Sequence, residues 1–127
     1  MPLKTIQTAF QAWEEGDAQA VFRLMTPQLK WRVIGNTEVS GTYQNKKAFL
    51  DTVNLKLMGA LCGPLTPKVE RIFAAGNTVV AQFTSHAPTK SGIDYTQTYC
   101  WVMEVSKGQI QSGTAYLDTA LIDRVLN

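Results

Sequence analysis

Apolar residues recur at helical spacing along the first part of the chain and at every second position along the rest. Leu3, Ile6, Phe10 and Trp13 fall three or four apart, which puts them on one face of a first helix, and Gly16 is placed to end it in a left-handed conformation. Asp17 opens a second predicted helix: its carboxylate can accept from the first free amides, Val21, Leu24 and Met25 form the buried stripe, and Pro27 stops it. Residues 29–34 alternate as a strand that ends at Gly35-Asn36. From about Asn45 to Leu57, the spacing of Phe49, Val53 and Leu57 predicts a third helix, with Lys47 and Asp51 able to pair along its outside.

Beyond Gly63-Pro64 and Pro67 the period becomes two. Residues 68–74 and 78–86 read as a hairpin about Ala75-Gly76-Asn77, Pro88 to Asp94 as a longer connection, and residues 95–105 and 109–117 as a second hairpin about Lys107-Gly108. Within 95–105 the odd positions Tyr95, Gln97, Tyr99, Trp101 and Met103 share one face. Thr119 to Leu126 reads as a short closing helix whose Ala120, Leu121 and Val125 pack as a lid. No repeat or linker intervenes, so residues 1–127 are expected to form a single α+β domain.

A chain of 127 residues can bury roughly two thirds of the surface it exposes when unfolded. Its charged fraction, 17%, is on the low side for a monomer that must cover itself with polar groups, which points to a buried interface. The net charge of +2 is scattered, with Lys46-Lys47 and Lys30-Trp31-Arg32 the densest clusters, so no basic tract marks a nucleic-acid partner. Cys62 and Cys100 stand apart and His86 is the only histidine, too few ligands for a zinc site or a disulfide framework. No metal is expected, and both cysteines are expected to be buried free thiols in a reducing compartment. The first residues lack a signal-peptide core, and no apolar run approaches the roughly 20 residues of a membrane span. A soluble cytoplasmic protein with no membrane partner is therefore expected. Phosphate-loop, dinucleotide and nucleophile-elbow motifs are missing, so no cofactor is expected either.

Five segments in order carry a resemblance: Trp13-Glu14-Glu15-Gly16-Asp17, residues 41–49 (Gly-Thr-Tyr-Gln-Asn-Lys-Lys-Ala-Phe), Tyr95-Thr96-Gln97-Thr98-Tyr99, Gly108-Gln109-Ile110 and Tyr116-Leu117-Asp118-Thr119. Together they resemble the nuclear transport factor 2-like superfamily, in its ketosteroid-isomerase and SnoaL-like polyketide-cyclase branch, over essentially the whole chain. The resemblance implies a cone-shaped, cystatin-like α+β fold, usually dimeric, in which a curved antiparallel sheet wraps around N-terminal helices and leaves a pocket at its open end. Members include isomerases, cyclases, dehydratases, epoxide hydrolases and non-catalytic binding proteins, so the fold implies a pocket and leaves the reaction open. Asp118 stands at the Tyr-x-Asp motif of SnoaL-like proteins, and His86 matches a histidine common on the preceding hairpin.

A carboxylate at the mouth of an apolar cavity is disfavoured in its charged form and can serve as acid or base near neutral pH. Asp118 is the sharpest such candidate, expected to face the cavity with Tyr116 two positions before it. The competing reading is that Asp118 caps the helix beginning at Thr119. His86 can shuttle a proton or orient a ligand carbonyl, and equally can bond to a loop at a strand end. Trp13, Trp31, Tyr43, Phe49, Tyr99, Trp101 and Tyr116 are the expected pocket walls, enclosing about 300 to 1,000 Å³. These residues point to a cofactor-independent enzyme transferring protons on a small apolar ligand, of isomerase, cyclase or lyase type. The alternative is a non-catalytic ligand-binding or dimerisation module of the same fold. A homodimer is expected in either case, because two amphipathic strand faces expose more apolar sheet than helices on one side can cover.

Overall fold

The computed structural model describes residues 2–126. Helix α1 (Pro2–Glu14) buries Ile6, Phe10 and Trp13 of the predicted stripe together with Ala9, leaving Leu3 half-buried, and Gly16 comes after it with φ +114°. The second predicted helix is not formed. Asp17 does accept from an amide, that of Gln19 at 3.2 Å, but residues 18–21 form turns, and only a single 3-10 turn, Phe22–Leu24, precedes strand β1 (Met25–Val33). The physical reason is Pro27: a residue before proline is pushed toward extended backbone, and Met25 has already turned to φ −73°, ψ 128°. Pro27 lies where the register of β1 slips between Met25 and Lys30, an irregularity where a missing N–H is tolerated.

Short strand β2 (Gly41–Tyr43) lies outside the elements expected from the sequence. Asn45 then caps helix α2 (Lys46–Phe49) by accepting from the Ala48 amide at 2.7 Å. The helix continues through a π turn, Leu50–Asn54, into α3 (Leu55–Ala60). Such a turn adds a residue per hydrogen-bonded ring and rotates the next helical segment about its axis. Phe49 and Leu57 remain buried, whereas Leu55 is left 65% exposed.

Strands β3 (Thr66–Ala75), β4 (Thr78–Ala87), β5 (Tyr95–Ser106) and β6 (Gln109–Leu117) match the predicted hairpins within a residue or two. They join β1 and β2 in one six-stranded sheet of order β2-β1-β6-β5-β4-β3. Every pairing is antiparallel except β1 with β6, which is parallel. The sheet does not close, so β2 and β3 are edges. At the β3 edge the register shifts between Val69 and Arg71, and the Glu14 carboxylate accepts from the Val69 amide at 2.8 Å. This occupies a donor that a second strand could otherwise recruit.

One face of the sheet is the core. Val79, Ala81, Phe83, Ser85 and Ala87 of β4 are buried, as are the odd positions of β5 from Tyr95 to Val105, while their neighbours are exposed or half-buried. Helix α1 packs across β3 and β4, and α4 (Thr119–Leu126) packs on β5 and α3 with Ile122 and Val125 buried. A rigid turn seats the start of α4: Gly35 has φ +92°, and a Cβ there would lie 2.5 Å from the Thr119 methyl carbon. The two cysteines are free, but Cys62 is exposed and Cys100 half-buried, contrary to the expectation of burial. Cys62 lies just past α3 at the chain's turn toward β3, and Cys100 occupies an even position of β5, on the face opposite the core. No helix among the described residues is long and apolar enough to cross a membrane.

Candidate functional site

Between the inner sheet face and its helical cover lies a cavity of about 50 Å³. The sheet contributes Trp31 and Val33 from β1, Ala115 and Leu117 from β6, Tyr99 and Trp101 from β5, and Phe83 from β4. The cover contributes Trp13, Phe22, Phe49, Val53, Asn54, Leu57, Leu65 and Ile122. The volume is well below the expected range of about 300 to 1,000 Å³. Interlocked rings account for the difference. Trp101 stands edge-on to Trp31 and Phe83, with centroids at 5.0 and 5.1 Å, and Phe83 stacks on Tyr99 at 5.2 Å. Edge-to-face and offset stacked pairs of this kind are favourable beyond the area they bury.

Trp13, Trp31, Phe49, Tyr99 and Trp101 therefore line the cavity as the sequence suggests. Tyr43 and Tyr116 do not. Tyr43 donates to the Val39 carbonyl at 2.6 Å and leans on the outer side of Phe49, and burial raises its phenol pKa. Tyr116 is 43% exposed, because Ala115 and Leu117 take the inward positions of β6 and alternation sends residue 116 to the other face.

Hydrogen-bonding groups around the cavity are few and uncharged. The Tyr99 hydroxyl lies 2.6 Å from that of Tyr95, two strand positions beyond Gln97, so the phenols arch over the buried Gln97 amide. Gln97 accepts from the Asp118 amide at 2.7 Å and donates to the Asp118 carbonyl at 2.9 Å, fixing the end of β6. Burial holds the Tyr95 phenol above its ordinary pKa and the Tyr99 phenol well above it. The Tyr95 hydroxyl also hydrogen-bonds with the Gln97 side chain, and either phenol can be the donor in the bond between them; when Tyr95 donates to Tyr99, the Tyr99 proton faces the cavity. The buried indole N–H of Trp101 also lacks a partner there, whereas that of Trp13 donates to the Leu65 carbonyl at 3.2 Å. The Asn54 amide makes no side-chain hydrogen bond among the described residues, and Asn54 ends the π turn against the cavity.

The expectation that Asp118 faces the cavity is corrected. Its Oδ1 accepts from the amides of Ala120 at 3.1 Å and Leu121 at 3.3 Å, and its carboxylate is turned away from the cavity wall. Strand alternation does not extend to position 118, because the chain leaves the ladder at Leu117 and the carboxylate turns back to cap α4. His86 is on the outer sheet face, 60% exposed, with Nδ1 2.9 Å from the Thr96 hydroxyl and 3.1 Å from the Asp94 carboxylate. Inward positions of β4 are odd-numbered, so residue 86 points away from the core. Neither residue lines the cavity. No group of three or more His, Cys, Asp or Glu among the described residues is arranged to hold a metal ion.

Several wall residues are not among those expected from the sequence. Phe83 and Ala115 conform to strand alternation and Ile122 to the helical spacing of α4, so a signal for them existed. Phe22 and Asn54 had none, since a 3-10 turn and a π turn put them in place.

Comparison with known proteins agrees with this architecture. No curated protein sequence matches the chain significantly. Among solved structures, an NTF2-like protein from Burkholderia thailandensis E264 superposes with TM-score 0.80 at 20% identity, covering 99% of this chain and 97% of its own. A protein of unknown function with a cystatin-like fold from Xanthomonas campestris gives 0.81 at 18% identity, covering 99% and 98%. TerC, co-crystallised with polyporic acid, gives 0.77 at 15% identity, covering 98% and 97%. These likenesses establish the α+β cone-like fold. The family model described as SnoaL-like domain matches residues 6–113, and the chain belongs to that family within the NTF2-like superfamily.

Proposed function

We propose that the protein binds a flat, uncharged small molecule carrying a hydrogen-bond acceptor, in the cavity under α4. One observation carries the reading: the cavity wall is aromatic and aliphatic, with Tyr99, Trp101 and Asn54 as its polar members and no acidic, basic or histidine side chain among the described residues. Each of the three can donate a hydrogen bond. With Tyr95 donating to Tyr99, the Tyr99 proton is available to a ligand carbonyl, which the arch over Gln97 holds in place. Proton transfer at carbon needs a base beside the reacting atom, and the described residues lining the cavity include no carboxylate, amine or imidazole, which favours binding over isomerase or cyclase chemistry. TerC, of the same fold, was crystallised with polyporic acid, and a small organic ligand for the present chain is in keeping with that. A ligand the size of one aromatic ring exceeds the free cavity of about 50 Å³, so entry displaces a ring of the wall.

The second part of the proposal is a homodimer built on the outer sheet face. Phe73, Val80, Val102 and Thr114 are aligned across four neighbouring strands by the register, with Phe73 51% exposed and Tyr116 beside the row. A contiguous apolar row of this kind favours association.

Acetophenone and α-methylstyrene, which differ by an oxygen in place of a methylene, test the binding reading in titration calorimetry. Acetophenone is expected to bind about tenfold more tightly, the worth of one hydrogen bond to an otherwise unpaired donor, and Tyr99→Phe to reduce that preference to about twofold. Failure of both compounds to bind would overturn the reading. Accelerated exchange of the acetophenone methyl protons in heavy water would replace binding with catalysis.

A further inference from the structure

A second cavity, of about 70 Å³, lies beside the first and is lined by Trp13, Ala18, Gln19, Phe22, Asn54, Met58, Pro64 and Leu65. Trp13, Phe22, Asn54 and Leu65 line both cavities and so form the partition between them. Trp13 and Leu65 are tied together by the indole-to-carbonyl hydrogen bond at 3.2 Å. The other two partition residues are held differently. Phe22 sits on a 3-10 turn of three residues, and Asn54 ends a π turn with its amide unbonded among the described residues. Short 3-10 and π elements have weaker internal hydrogen bonding than the α-helix and adjust at lower cost.

From this arrangement we infer that the two cavities are the chambers of one site, separated by Phe22 and Asn54 as a movable partition, and that the ligand is elongated. A flat head occupies the inner chamber. A narrower tail passes Asn54 into the outer one, where the amides of Gln19 and Asn54 meet it. Among the described residues no charged side chain lines either chamber, so the tail is neutral along its length. Neither chamber alone accepts a ring, whereas a displaced Phe22 ring joins their volumes. The inference rests on the binding reading above and adds to it the length and polarity of the ligand.

The n-alkyl phenyl ketones from acetophenone to hexanophenone test it, with affinities measured by titration calorimetry. In the native protein each added methylene should tighten binding by about fourfold until the outer chamber is spanned, giving at least about a tenfold ratio between hexanophenone and acetophenone. Gln19→Trp and Met58→Trp, each filling the outer chamber, should reduce that ratio to about twofold. Gln19 is exposed, so its replacement tests the inference even if Met58→Trp folds poorly. A flat series in the native protein, or a ratio that survives both substitutions while acetophenone still binds, overturns the two-chamber site and leaves the binding reading standing. If no ketone binds, both fall.

Discussion

The benzo ring of Trp31 lies against the bare Cα of Gly113, its register partner on the parallel strand: a Cβ at that glycine would be 2.4 Å from Cζ3 and 2.9 Å from Cε3. Real Cβ atoms do not approach ring carbons so closely, so the side chain is excluded there by the indole. Trp31 is 1% exposed and also stands against Phe49 and Trp101, which leaves it no open space to retreat into except the cavity itself.

Gly113→Ala is accordingly expected to lower stability by about 1–3 kcal/mol through overpacking, and to push the indole into the cavity. Chemical denaturation should show a lower midpoint with an unchanged slope. A loss below about 0.5 kcal/mol would mean that the indole can move aside freely.

For Asp118, the two oxygen–amide bonds predict a helix cap. Asp118→Ala should cost about 1 kcal/mol of stability and Asp118→Asn only a few tenths, since asparagine caps equally well. Acetophenone affinity should change by less than about twofold in the Asn variant. A tenfold change there would return this carboxylate to the ligand site.

Alkaline pH should act through Tyr95 and Tyr99. Burial raises both phenol pKa values in the folded state, so the native protein keeps protons that the unfolded chain releases above about pH 10. Stability is thus intact below the unfolded value and falls as pH rises from there toward the folded values, by about 1.4 kcal/mol per pH unit for each group. Tyrosinate absorbance from these two of the four tyrosines should appear together with loss of near-ultraviolet circular dichroism. Ionisation of all four ahead of unfolding would contradict their burial.

Sedimentation is expected to give twice the 14.0 kDa chain mass at tens of micromolar protein, a range typical of about micromolar or tighter association. Val102→Glu, at the middle of the outer apolar row, should yield a folded monomer. A native protein that sediments at the single-chain mass would remove the dimer from the proposal.

Legibility in the residues alone tracks the strength of local periodicity. Tyr99 and Trp101 are legible as core because β5 alternates over its whole length, and Trp13 because α1 carries an uninterrupted stripe. Phe22 and Asn54 are not, because their positions depend on a 3-10 turn and a π turn, in which neither a period of 3.6 nor of 2 applies. The helix expected after Asp17 does not form for a related reason: between Gly16 and Pro27 there is room for fewer than three turns, too short to persist against the extended bias before a proline. Asp118 is ambiguous in sequence, as the same residue type serves both a cap and a pocket acid. Only the direction of its carboxylate separates them.

The parallel pairing of β1 with β6 sets an order of events during synthesis. Trp31 meets Gly113 between the second and third strands of the sheet, so β1 waits for β6, which is made after the hairpins of β3, β4 and β5 have become available to form. A chain still emerging from the ribosome holds Trp31, Val33 and the rest of that face without their neighbours, and contacts so distant in sequence close slowly. The cavity wall is thus closed only once β6 and α4 supply Ala115, Leu117 and Ile122 against the aromatic side chains made before them.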